Sequence, residues 1–320
     1  MRFILLLLLS VAGVARETSG VTESHVSEAR LVVEGRSIAV EKGKALLGRY
    51  RYGDVPFKPY MDLLCTPLGV NVLRDGPADH KHHHGLMYAV EVDGVNFWEE
   101  SANAGKEVQR WLGPVAISEQ GGLEGAWFGA NIDWMGTEEE PILRERREIG
   151  VYSWQETEAT LVVWRSRLSV GRGRDQATLK GSHYHGLGMR FVASMDKGGV
   201  FLNESGKEGE VVRGTERLVQ GKWCAYRATV QGKEVTVAMF DGPGNTRQAR
   251  WFTMTAPFAY LSATLNTYRK PLEIKRQEGL SLCYAVVLWD GQVEREQIEK
   301  AYKLWQTLAA ESAEPGRRKE

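Results

Sequence analysis

The stretch LMYAVEVDGVNFW, residues 86–98, alternates apolar and polar positions on both sides of Asp93-Gly94. An Asp-Gly pair readily adopts the positive φ angles of a two-residue turn, so this segment predicts an antiparallel hairpin. The same texture extends outward in both directions. Residues 30–53, RLVVEGRSIAVEKGKALLGRYRYG, predict two or three strands broken at glycines. ATLVVWRSRLSV (159–170) and YRATVQGKEVTVAMF (226–240) continue the pattern, and LSLCYAVVLWDG (280–291) predicts a late strand. Strands recurring at intervals of roughly 8–12 residues are the mark of a sandwich or barrel. The strand–helix alternation of a parallel sheet is missing. The fold class expected is therefore all-β and antiparallel.

One helix stands out. In VEREQIEKAYKLWQTL, residues 293–308, Ile298, Ala301, Tyr302, Trp305 and Leu308 fall on one face at helical spacing, with charge opposite. It is expected to dock on the sheets, with a disordered tail over 309–320. At the other end, Arg2, an apolar run from Phe3 to Leu9 and a small-x-small close at Ala15 predict a signal peptide over 1–15. A loose polar segment over 16–29 follows, then one domain over 30–308. The chain is expected to be exported, to the periplasm or beyond, with no membrane span once the leader is removed.

Lys plus Arg equal Asp plus Glu at 41 each, which gives no long-range attraction to nucleic acid. Ten tryptophans serve core packing or stacking on sugar faces. Cys65, Cys224 and Cys283 each sit in an apolar run. They predict buried inert thiols, with one disulfide plus a free thiol as the alternative. No CxxC occurs.

Six of the seven histidines fall into two short segments, DHKHHHGLM (79–87) and GSHYHGLGMRF (181–191). Both run through Gly-Leu into an expected strand. Residues two apart on a strand share a face, so His183 is expected to point with His185, and His82 with His84, unless Gly85 shifts the phase through a bulge. Imidazoles so grouped can hold a divalent metal such as zinc, manganese or iron, with Asp79, Glu99, Glu100 or Glu145 completing the set. They serve equally as general acid and base near neutral pH. Of the remaining polar stretches, NFWEES (96–101) sets Trp98 beside Glu99 and Glu100, as a sugar site needs. MFDGPGNTRQARW (239–251) is a turn-rich loop whose Asn245 and Arg247 could rim such a site. In PILRERREIGV (141–151), Glu145 and Arg147 share a strand face.

The stretch KPYMDLLCTPLGVNVLRDGPADHKHHHGLMYAVEVDGVNFWEE, residues 58–100, resembles the PmoA family of bacterial secreted proteins. Lys58-Pro59-Tyr60 stands at its opening, Pro67-Leu68-Gly69 at its turn, Asp79, His80, His82, His83 and Gly85 at its histidine motif, and Phe97-Trp98 at the hairpin end. Glu145 and Arg147, Gly188 and Arg190, and the phrase DGPGNTR also fall at positions like the family's. The resemblance spans roughly residues 48–291. It implies a large antiparallel sandwich similar to galactose-mutarotase-like supersandwiches, where histidines and a carboxylate surround a sugar ring.

Together these readings predict a carbohydrate-active enzyme acting by hydrolysis, elimination or epimerisation on a small sugar ligand. His80, His82, His83 and Glu145 are the expected catalytic residues, the three histidines also being the expected metal ligands if a metal is held. Trp98 is expected to stack on the sugar, with Glu99, Arg147, His183, His185, Arg190, Asn245 and Arg247 binding it. Two alternatives stand beside this reading. One is a non-catalytic carbohydrate-binding sandwich. The other is a metal-dependent oxidoreductase, matching the family's methane-oxygenase label. Arg16 would lead the mature chain, so a copper site built on an N-terminal histidine is not available.

Overall fold

The computed structural model describes residues 28–313. The expected signal peptide and most of the loose segment lie outside them, as does the last part of the tail. Among these residues every strand pairing is antiparallel, and two large sheets face each other. The first has ten strands, from Ala29–Glu34 at one edge to Glu210–Val211 at the other. At its centre lie Tyr60–Leu64, Leu86–Ala89, Gly186–Arg190 and Tyr260–Thr264. The second has eight strands, with Lys106–Gln120 at one edge, then Leu123–Met135, Leu143–Trp154, Ala159–Val170 and Leu280–Asp290. A small four-stranded sheet contains the Asp93-Gly94 hairpin, where Val92 opposes Val95.

Strand periodicity divides the side chains into three packed layers. Leu86, Tyr88, Leu187, Leu261 and Ala263 point between the large sheets, onto Phe128, Ile149 and Val286 from the other side. Their chain neighbours Met87, Ala89 and Tyr260 point the opposite way, onto the outer face of the ten-stranded sheet, where they pack with Trp98, Phe252 and Phe258. The helix Arg295–Ala313 covers one end of the outer face of the eight-stranded sheet, setting Ile298, Ala301, Tyr302 and Trp305 on Trp154, Phe240 and Trp289. The expected apolar stripe is the buried one. The helix runs past its expected end at Leu308, so 309–313 are helical and not part of a disordered tail.

The three cysteines are free thiols; Cys65 and Cys224 are buried, and burial raises all three thiol pKa values. Gly85 joins the histidine-rich turn to the strand Leu86–Ala89. Its φ is +30°, and a Cβ there would stand 2.0 Å from the Met61 carbonyl oxygen. Only glycine lets that strand meet its neighbour at Met61 and Leu86.

Candidate functional site

Both histidine segments are turns and not strands, because each precedes its strand by a glycine: Gly85 before Leu86–Ala89, and Gly186 opening Gly186–Arg190. The expected strand alternation therefore does not hold. His82 and His84 diverge, as do His183 and His185. The turns nonetheless bring the two segments to one place, over the outer face of the ten-stranded sheet.

Trp98 joins them. Its indole is fully buried and stacks on His185, with ring centroids 5.0 Å apart and planes 10° apart. His83 meets it edge-on at 6.1 Å, Tyr184 at 5.2 Å and Tyr260 at 6.1 Å. Gly188 leaves room beneath, since a Cβ there would stand 2.0 Å from the Tyr260 hydroxyl and 3.2 Å from Trp98. The expectation that Trp98 stacks on a sugar is corrected: His185 already covers a face, and no part of the ring reaches solvent.

His80, His82 and His83 pack ring to ring, with centroids 4.5–5.8 Å apart. His80 Nδ1 lies 3.0 Å from Asp79 Oδ2, and His82 Nδ1 lies 3.4 Å from Glu99 Oε2. These four side chains are partly exposed and form the rim. His83 lies behind them against Phe258 and Tyr260. Burial, then the neighbouring His82, His80 and Arg190, push its pKa down to about 2, so it is neutral. Burial likewise takes His185 to about 3 and lowers His82.

His84 differs. Its Nδ1 lies 2.6 Å from Asp75 Oδ1, its Nε2 lies 2.9 Å from Glu100 Oε1, and its ring stacks on Tyr60 at 4.3 Å. Burial alone would lower its pKa, but the two carboxylates outweigh it and raise it. An imidazole between two carboxylate oxygens donates to both only as the cation. The buried Lys58 adds a second positive charge, donating to Glu100 Oε1 at 2.8 Å and to the Trp98 carbonyl at 3.1 Å. Tyr60 donates to Asp75 Oδ2 at 2.9 Å.

Arg190 belongs to the same face. Its guanidinium lies over the Phe258 ring, 3.4 Å from the centroid, and one nitrogen is 3.5 Å from Asp79 Oδ2. Its Nε and Nη1 are buried with no hydrogen-bond partner among the described residues. The same holds for His83 Nδ1, His185 Nδ1, Trp98 Nε1 and the Tyr260 hydroxyl. At the far side His183 Nε2 lies 3.1 Å from Glu216 Oε2, a carboxylate that also pairs with Arg213.

Four expected site residues are elsewhere. Glu145 and Arg147 do share a strand face, but that face looks into the sandwich. Glu145 accepts from Arg147 at 2.8 Å, from Trp134 at 2.9 Å and from Ser166 at 2.6 Å, and Arg147 also binds Glu107 and the Pro59 carbonyl. Neither side chain is exposed at all, so this is a core ion network and Glu145 does not reach the histidines. Asn245 spends its amide on Asp241 and on the Cys283 backbone, and Arg247 caps the carbonyls of Leu265, Lys270 and Pro271. Both brace a loop.

As metal ligands the histidines do not fit. His80 and His83 lie face to face at 4.7 Å, an arrangement that does not converge ring nitrogens on one point, and among the described residues no three His, Cys, Asp or Glu side chains form a metal-holding group. Sequence reasoning passed over Asp75, Tyr60, Tyr184, Glu216, Phe258 and Tyr260.

A family model described as a family of unknown function, DUF6807, matches residues 37–303. That description lends no support to the methane-oxygenase label. No curated protein matches the chain. Among solved structures it is similar to the GH36 α-galactosidase AgaA of Geobacillus stearothermophilus, at 9% identity and a TM-score of 0.48, over 88% of this chain and 43% of that one. An α-galactosidase from Lactobacillus brevis gives 5% identity and a TM-score of 0.47, over 87% and 41%. A putative mutarotase, YeaD, from Salmonella typhimurium gives 9% and 0.35, over 82% and 90%. The chain spans less than half the length of either galactosidase. The chain's own strand pairing shows a large antiparallel β-sandwich with a C-terminal helix.

Proposed function

The chain belongs to DUF6807, a family of unknown function, and from its own geometry we propose that it is an exported carbohydrate-active enzyme whose rim histidines move protons on a sugar. The observation that carries this is the pair His80–Asp79 and His82–Glu99. Asp79, hydrogen-bonded to His80 Nδ1, holds the proton there and leaves His80 Nε2 as the base, while Glu99 faces His82 Nδ1 at 3.4 Å as its charge partner. Two such imidazoles, with centroids 5.8 Å apart, allow one to take a proton while the other, once protonated, gives one back. The carboxylate is Asp79 or Glu99 in this scheme, in place of the buried Glu145. Arg190 and Tyr260 supply buried polar atoms without partners, the kind of group that a polyhydroxylated ligand satisfies. Epimerisation, elimination and hydrolysis all need this proton traffic. The leader pattern over 1–15 supports export.

A second reading, a sugar-binding protein without catalysis, is favoured by the unpartnered polar atoms of Arg190 and Tyr260, which a polyhydroxylated ligand satisfies whether or not a proton moves. The deciding experiment incubates the purified protein, His80→Gln and His82→Gln with a panel of oligosaccharides and oxidised (keto) glycosides. The enzyme reading expects product from wild type and a loss of roughly 10²–10⁴-fold in each variant. Thermal stabilisation by a sugar without product would favour the binding reading. Equal turnover by all three proteins would remove His80 and His82 from the mechanism.

A further inference from the structure

The helix leaves the other end of the eight-stranded sheet's outer face uncovered. Strand register sets the side chains there in rows. Trp111 opposes Asn131, Asn131 opposes Arg146, Arg146 opposes Arg167, and Arg167 opposes Ser281. Directly opposed residues share a face and lie within contact range. In the adjacent row Asp133 opposes Arg144. A cleft of about 480 Å³ is lined by Arg110, Asn131, Asp133, Arg144, Arg146 and Arg167, with Trp111 next to Arg110 at the end of the row.

The charges are unbalanced. Arg110 and Arg144 share Asp133, at 2.9 and 3.9 Å, and Arg144 also meets Glu140 at 4.0 Å. Arg146 meets Glu148 at 3.1 Å, yet its side chain is 62% exposed. Arg167 is exposed and no carboxylate pairs with it among the described residues. Like charges directly opposite across a ladder oppose folding, so Arg146 against Arg167 is a local cost that Glu148 offsets only from the Arg146 side. At the end of that row Trp111 is 55% exposed, unlike the buried tryptophans of the core. Planar guanidiniums match carboxylate and sulfate oxygens in pairs, and an exposed indole presents an apolar face of the kind a sugar ring covers.

We propose that this face is a second binding site, for an acidic polysaccharide: guanidiniums of Arg146 and Arg167 take its anionic groups, and Trp111 carries a neighbouring sugar ring. The site lies on the opposite sheet from the histidines and does not depend on their chemistry. An extended polymer suits it because the row crosses five neighbouring strands and begins on the edge strand Lys106–Gln120.

Affinity electrophoresis of the full chain through gels containing polygalacturonate, dextran sulfate or neutral dextran tests this. Wild type is expected to be retarded by at least one acidic polymer, the responsive one showing whether carboxylate or sulfate is read, and not by dextran. W111A is expected to bind on the order of tenfold more weakly. R146S/R167S is expected to migrate as in a polymer-free gel, with a melting temperature equal to or above that of wild type, because both side chains are exposed and a like-charge contact is removed. No retardation of wild type, equal retardation of R146S/R167S, or equal retardation by dextran would overturn the proposal. Retardation lost in R146S/R167S but untouched in W111A would overturn it in favour of simple charge attraction.

Discussion

Trp98 and His185 lie ring on ring, 5.0 Å apart and 10° from parallel, and through that contact two histidine segments distant in sequence become one layer. The indole therefore acts as an internal wall on which His83, Tyr184 and Tyr260 also rest. Trp98→Ala is expected to cost about 3–5 kcal/mol, the range for deleting a fully buried aromatic ring. It should also loosen His83 and His185. Urea denaturation gives the first quantity. Proton exchange at the histidine side chains gives the second, and unchanged histidine signals would show that the layer holds without the wall.

Proton transfer by His82 requires its neutral form. Burial lowers the His82 pKa from the ordinary 6.5, with Glu99 opposing. The acid limb of the pH–rate profile is therefore expected below 6.5, with activity falling as pH drops through it. Glu99→Gln removes the opposing carboxylate and should move the limb to still lower pH. A limb moving upward in that variant would contradict the pairing.

The strands were readable because alternation and Asp-Gly or Gly-centred turns are local features, and the helix because its apolar face repeats at its own period. The site was readable only where residues of chemical interest sit together in sequence, as at His80 to His84. Glu145 and Arg147 show the limit. Alternation puts them on one face of Leu143–Trp154, but which face looks inward is decided by the pairing of the whole strand, and one step of phase separates a core ion network from a surface site. Tyr260 and Glu216 carry no local pattern. They reach the histidines only through strand order, with Tyr260 opposite Arg190. The histidine turns misled in a different way: each strand begins only at or after the glycine that follows the histidines, so alternation never reaches them.

Two carboxylates and one guanidinium meet in the core. Glu107 takes Arg147 Nη2 at 2.9 Å, while its other oxygen, Oε1, has no partner. Burial, only partly offset by Arg147 and worsened by Glu145, pushes Glu107 up to about 8. The folded state thus holds a proton that the unfolded chain releases near 4.5. Its contribution to stability is whole below 4.5 and is lost as pH rises toward 8. Glu107→Gln keeps the neutral form at every pH. Its unfolding midpoint is expected to lie near that of wild type at about pH 5 and above it at about pH 8.5. Parallel curves for the two proteins would show that Glu107 is ionised in the fold. Glu145→Gln, in contrast, leaves Arg147 short of its main partner and should cost about 3–5 kcal/mol at either pH, without altering turnover by the protein that remains folded.

His84 sets a pH window of the opposite kind. Hydrogen bonds to Asp75 and Glu100 raise it above 6.5 against burial, while His84 in turn holds Asp75 and Glu100 below their ordinary values of 3.8 and 4.5. The cation's contribution is whole below 6.5 and is lost as pH rises through its raised value. The carboxylates' contribution is whole above 4.5 and is lost as pH falls. Between those limits the triad is complete. His84→Gln keeps a hydrogen-bonding side chain but not the charge, so it should cost about 1.5–3 kcal/mol within the window, the worth of hydrogen bonds to charged groups. Above its raised value wild-type His84 loses its proton, and the two proteins should converge. Urea midpoints followed from about pH 6 upward measure this. A gap that stays constant would mean that His84 acts by packing on Tyr60, a contact indifferent to pH, and not as the cation between two carboxylates.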